Sequence, residues 1–152
     1  MPLAPITHMT LPREPGAPPP VEVVIPSDPA EARRVQNDIE GLLRAHHAHE
    51  KDIFGIRLAL EEALVNAIKH GNQMDRDKKV LISYRLLPDR FEIRITDEGI
   101  GFDPNDVPDP TAIENLERPC GRGLMLMRHY MTQVEYTERG NGVFMVKVFK
   151  RK

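Results

Sequence analysis

The sequence predicts an α+β two-layer sandwich: a mostly antiparallel mixed sheet with helices on one face. Three observations lead there. Segments of period-2 hydrophobicity come in consecutive pairs, which suits antiparallel hairpins. Two helix-period segments precede the first pair and one follows it, so the order reads β-α-α-β-β-loop-α-β-β. The regular βαβ alternation that a doubly wound parallel sheet needs is absent. With 152 residues, 40% of them hydrophobic and 29% charged, the chain holds enough apolar material for one core.

Seven of the 14 prolines fall in residues 1–20. Each lacks a backbone donor and restricts the residue before it. The segment 1–20 therefore reads as a disordered or extended tail, and residues 21–152 as one domain. Val21-Glu-Val-Val-Ile25 is a short strand ended by Pro26. Ser27 or Asp28 can cap the first helix, and Pro29 suits its first turn. Val35, Ile39, Leu42, Leu43 and His46 carry that helix to about residue 47. His46, His47 and His49 invite a metal site, but no carboxylate or cysteine is placed to complete one. They read as a solvated helix end.

The second helix spans about residues 51–71. Ile56, Leu60, Ala63, Leu64, Ala67 and Ile68 form one apolar stripe, and Gly71-Asn72 ends it in the manner of a C-cap. Glu62 and Asn66 lie about 40° apart on the flank of that stripe, where a helix meets a sheet or a pocket. Val80, Ile82, Tyr84 and Leu86 then alternate, Pro88-Asp-Arg turns the chain, and Phe91, Ile93 and Ile95 alternate in a second strand. Residues 103–120 follow as a loop with four prolines, room for one helical turn near Thr111–Leu116, and the length of a lid or binding loop. A third helix opens at Gly121, and a hairpin around Arg139-Gly-Asn-Gly142 joins strands near 133–137 and 143–149.

Charge and cysteine content exclude several function classes. Lys+Arg 21 against Asp+Glu 23 gives a formal net charge of −2, so there is no global basic footprint for nucleic acid. The lone Cys120 excludes a disulfide framework and a cysteine-rich zinc site. No apolar run approaches the ~18–20 residues of a membrane span. The start lacks the charged and apolar regions of a secretory signal. A reducing, cytoplasmic setting is the expectation.

Three motifs carry chemistry. The first is the glycine pair Gly99-Ile-Gly101, which ends a strand just after Asp97. Asp97 reads either as turn chemistry or as a buried acceptor for an exocyclic amine. The second pair, Gly121-Arg-Gly123, leads into a helix whose first N–H groups suit phosphate. Glu62 and Asn66 form the third. Mg²⁺ takes oxygen ligands and keeps waters and phosphates in its shell, so one amide oxygen can be its sole protein ligand. A nearby carboxylate can then polarise a hydroxyl attacking a γ-phosphate. Lys69, one turn beyond Asn66, reads either as a phosphate neutraliser or as a solvated lysine.

Glu62-Ala-Leu-Val-Asn66-Ala-Ile-Lys-His-Gly71 resembles the N box of the GHKL ATPase superfamily. Asp97-Glu-Gly-Ile-Gly101-Phe resembles its first glycine box, and Gly121-Arg-Gly-Leu124-Met-Leu-Met its second. The three stand in the family's order across about residues 30–150. The subgroup they resemble is the small anti-sigma-factor serine/threonine kinases; gyrase-type and sensor-kinase relatives carry further parts for which this length leaves no room. The resemblance implies the GHKL (Bergerat) fold, with ATP and Mg²⁺ as cofactors. It implies Asn66 as metal ligand, Glu62 as catalytic base and Asp97 on the adenine amine, with Gly99 and Gly101 shaping that pocket. Gly121, Arg122, Gly123 and Leu124 would carry the phosphates, and residues 103–120 would be the lid. The implied partners are a STAS-type anti-anti-sigma substrate, a sequestered sigma factor and a second copy in a homodimer. The alternative is a regulatory module that binds ATP and sequesters a partner without phosphoryl transfer.

The chain departs from that pattern in four ways. The tail has no counterpart among the motifs. The lid carries Asp103, Asp106, Asp109, Glu114 and Glu117 against Arg118, a net −4. Met131 is followed by Thr132 where many relatives have an acid, and no threonine stands at Gly140-Asn-Gly-Val143 for phosphate contact.

Overall fold

The computed structural model describes residue 11 and residues 14–99, 119–137 and 141–150. Its elements run β1 (Val21–Pro26), α1 (Pro29–Ala45), α2 (Glu50–Val65), a π-helical turn (Asn66–Gly71), β2 (Lys79–Leu86), β3 (Arg90–Asp97), α3 (Pro119–Tyr130), β4 (Gln133–Tyr136) and β5 (Gly142–Val148). The strands form one sheet in the order β1-β2-β3-β5-β4, with every neighbour antiparallel. The α+β expectation holds, and the described sheet is wholly antiparallel.

Alternation within the strands sends Val80, Ile82, Tyr84, Phe91, Ile93, Ile95, Val143 and Met145 to the face that meets the helices. Val35, Ile39 and Leu43 of α1, Ile56, Leu60 and Leu64 of α2, and Met127 of α3 complete that core. Each fully buried aliphatic side chain there contributes about 1.5–3 kcal/mol. No described helix is long and apolar enough to cross a membrane.

Caps decide where the helices begin. Asp28, not Ser27, caps α1: its Oδ1 accepts the Ala30 N–H at 2.9 Å, with Pro29 in the first turn. His49 caps α2, its Nδ1 accepting the Lys51 N–H at 3.2 Å. That gives one of the three clustered histidines a structural task. Asp52, buried in the first turn of α2, accepts the Lys150 N–H at 3.1 Å and so anchors the chain after β5.

The long second helix departs from the expected regular pattern at its end. After Val65 the backbone widens into the π-helical turn, which the Asn72 N–H closes on the Ala67 carbonyl at 2.8 Å. The left-handed positions that reverse the chain are Gln73 (φ 53°) and Met74 (φ 61°), so Gly71 is not the C-cap glycine its sequence suggests.

Asn72 is a fully buried junction instead. Its Nδ2 donates to Ser27 Oγ and to the Lys79 carbonyl, both at 2.9 Å, and its Oδ1 accepts the Glu98 N–H at 2.8 Å. Ser27 Oγ donates in turn to the Lys78 carbonyl at 2.8 Å. One amide thus ties the start of α1, the start of β2 and the turn after β3. Asn72→Ala is expected to destabilise the fold by about 2–4 kcal/mol, because several buried groups lose their partner together. Urea denaturation measures it, and a loss below about 0.5 kcal/mol would contradict this role.

Candidate functional site

Asp97 ends β3 on the helix-facing side of the sheet, one pleat beyond Ile95. Its backbone is clamped by the last hairpin: the Asp97 N–H donates to the Asn141 carbonyl at 2.8 Å, and Asn141 Nδ2 donates to the Asp97 carbonyl at 3.3 Å. Thr137 Oγ1 donates to Asn141 Oδ1 at 3.2 Å and holds that amide in place. The Asp97 carboxylate is buried, and its Oδ1 accepts the Gly99 N–H at 2.8 Å.

Two glycines make the space for this carboxylate. A Cβ on Gly71 would lie 2.3 Å from Asp97 Cγ and Oδ2, and a Cβ on Gly99 would lie 2.1 Å from the Gly71 carbonyl oxygen. Neither glycine has a positive φ. Both are small because two backbone segments converge on one acid. The end of the N-box segment and the first glycine turn thereby meet at Asp97 over 26 residues of sequence separation.

Burial pushes the Asp97 carboxyl up to about 6, with the Gly99 N–H and the Lys78 charge drawing it partly back. The folded-state value lies above the ordinary 3.8. This group's contribution to stability is therefore fully present below pH 3.8 and is lost as pH rises through 6. Relative to wild type, Asp97→Asn is expected to gain melting temperature between about pH 4 and about pH 7, as an uncharged amide escapes the cost of ionisation. A difference independent of pH would contradict the burial of the charge.

Asn66 begins the π-helical turn, and this turn packs against both β3 and α3. Its Oδ1 is buried and has no hydrogen-bond partner among the described residues. An orphaned amide oxygen of this kind is costly unless a cation or water meets it, and a hard cation such as Mg²⁺ suits it. The residues present therefore fit the metal. Glu62, one turn earlier in α2, is half-buried.

Gly121, Arg122, Gly123 and Leu124 lie in the first two turns of α3, which starts at Pro119, so both glycines are inside the helix rather than ahead of it. Lys69 is exposed, within the π-helical turn. It lines a groove between α1 and α2 with Arg33, Glu61 and Ile68, a set that includes neither Asn66 nor Asp97. Gly101 lies outside the described residues, as do the expected helical turn near 111–116 and nearly all of the expected lid. Gly71, Asn72 and Asn141 are site-forming residues whose role the sequence did not reveal. Gly71 and Asn72 are masked by looking like a helix end, and Asn141 by lying in a hairpin turn.

Residues 25–147 match the family model described as the histidine kinase-like ATPase domain. The chain is 29% identical over 119 residues to the serine-protein kinase RsbW of Listeria monocytogenes, covering 72% of this chain and 73% of that one. It is 32% identical over 100 residues to the anti-sigma F factor of Clostridium perfringens, covering 63% of this chain and 71% of the relative. Among solved structures, the RsbU and RsbW domains of Rv1364c from Mycobacterium tuberculosis align with a TM-score of 0.60 at 17% identity. That alignment covers 88% of this chain and 34% of the other, and it bears on the fold alone.

Proposed function

The chain belongs to the histidine kinase-like ATPase family, and from that premise we propose that it is an ATP- and Mg²⁺-dependent protein serine/threonine kinase of the anti-sigma-factor type. The observation that carries the nucleotide site is the buried Asp97 carboxylate, held by the Gly99 N–H against Gly71. A buried acceptor in a cradle closed by glycine backbones selects a donor such as the adenine amine. The match to a serine-protein kinase and to an anti-sigma factor supports the activity class.

In this reading Asp97 binds the adenine amine, with Gly99 and Gly101 shaping the pocket. Asn66 presents its orphaned oxygen to Mg²⁺, which when bound supplies charge neutralisation to the phosphates. The first turns of α3, with Gly121, Arg122, Gly123 and Leu124, receive the phosphates at a helix N-terminus. Glu62 takes the proton from a serine or threonine hydroxyl of the protein substrate. The hydroxyl oxygen bonds to the γ-phosphorus as the bond to the β–γ bridging oxygen breaks and ADP leaves. The substrate is a STAS-type anti-anti-sigma protein, and its phosphorylation sets whether a sigma factor is held or released.

The second reading, a module that binds ATP and sequesters a partner without transfer, has no use for a base at Glu62. Incubation with γ-labelled ATP, Mg²⁺ and a panel of STAS-domain proteins separates the two. Label on a serine or threonine of a panel member is expected. Nucleotide binding with no label on any of them would leave the module as the function.

A further inference from the structure

Ser83, Arg85, Glu92 and Thr96 alternate with the core positions of β2 and β3, so they point to the sheet's outer face, away from the helices. An antiparallel sheet with one face on the core ordinarily leaves such side chains in water. Here Ser83 is 1% exposed, Arg85 3%, Glu92 7% and Thr96 4%. Long charged side chains are buried to this degree only when they are paired and covered.

The chain's own N-terminal segment supplies part of the cover. Leu11 is 3% exposed, and its backbone N–H donates to Ser83 Oγ at 3.2 Å. Three residues on, Glu14 Oε2 accepts from an Arg90 guanidinium nitrogen at 3.1 Å. Arg90 Nε donates to Glu92 Oε2 at 3.0 Å, and the Arg85 guanidinium donates twice to Glu92 Oε1, at 2.9 and 2.7 Å. Charge alternates along Glu14, Arg90, Glu92 and Arg85, a continuous series from the segment to the buried centre of the face. Beyond Glu14, the Ala17 N–H donates to the Glu14 carbonyl at 3.1 Å, and Gly16 at φ +79° reverses the chain. Pro18, Pro19 and Pro20 then lead into β1. Prolines lose little backbone freedom on ordering, so an extended segment rich in them is held at low entropic cost.

We propose that Leu11 and residues 14–20 form a strap clamped across the sheet's outer face, closing that face to other proteins, a second copy of this chain included. The occupant is the chain's own segment, anchored by Leu11 on Ser83 and by Glu14 on Arg90. Leu11 and residues 14–20, within the stretch that reads as a tail from proline content, thus pack with the fold.

Thiol labelling of full-length protein tests it. Ser83→Cys is placed in a Cys120→Ser background, so that the only thiol sits under the strap. Combined with Leu11→Asp, which puts a charge at a buried apolar position, labelling is expected to speed up about tenfold or more. Leu11→Ala, a milder change that keeps the fold if the aspartate does not, is expected to give about threefold. The protected rate is expected not to change with protein concentration. Equal labelling rates with and without the Leu11 changes would overturn the strap. Protection that grows with concentration would overturn it too, by assigning the cover to a second molecule.

Discussion

Glu62→Gln is expected to leave ATP affinity within about twofold and to lower phosphoryl transfer by about 10²–10⁴-fold. Glutamine preserves the shape and the half-buried position of Glu62 one turn before Asn66. It cannot accept the hydroxyl proton, so the loss falls on the chemical step alone. Calorimetry with ATP and Mg²⁺ measures the first quantity, and single-turnover transfer to a STAS-domain substrate measures the second. Phosphoryl transfer passes through a loose transition state in which positioning counts for much. Unchanged transfer would therefore mean that positioning suffices and that Glu62 is not the base.

Asp97→Asn is expected to weaken ATP binding by about 10²-fold. Asp97 Oδ1 already accepts the Gly99 N–H, and the other oxygen lies against Gly71. An amide has one acceptor for these two tasks: whichever way it turns, an NH₂ faces either the Gly99 N–H or the adenine amine. Gly71→Ala reaches the same end sterically, since its Cβ would lie 2.3 Å from the carboxylate. The wild-type pH profile adds an independent signature. The protonated acid keeps one strong acceptor for the two tasks where the ionised acid has two, so affinity is expected to be flat above about pH 6 and to fall below it. The asparagine variant is expected to lose that break. Wild-type affinity in Asp97→Asn would remove Asp97 from the adenine site.

Element order and most candidate site residues are legible because they rest on local pattern. The period of 2 through Val80–Leu86 and Phe91–Ile95 placed β2 and β3, and the stripe from Ile56 to Ile68 placed α2. Glu62, Asn66 and Asp97 stood out because polar groups interrupt or flank those periods. Local pattern carries no signal where distant segments meet. Gly71 looked like a helix cap, yet its smallness answers to a carboxylate 26 residues later. Lys69 reads from spacing alone as either a phosphate neutraliser or a solvated lysine, and in the fold it is exposed and lines the α1–α2 groove.

By itself the sequence determined the α+β class, the family and the candidates for the residues that bear chemistry, since periodicity and short motifs are properties of contiguous chain. Tertiary structure alone decided that Asp97 is buried and so only partly ionised near pH 6, that Asn66 has an orphaned oxygen, and that Leu11 lies against the sheet. Desolvation, steric exclusion and hydrogen-bond partnership depend on which distant segments are brought together. One-dimensional spacing carries no record of that.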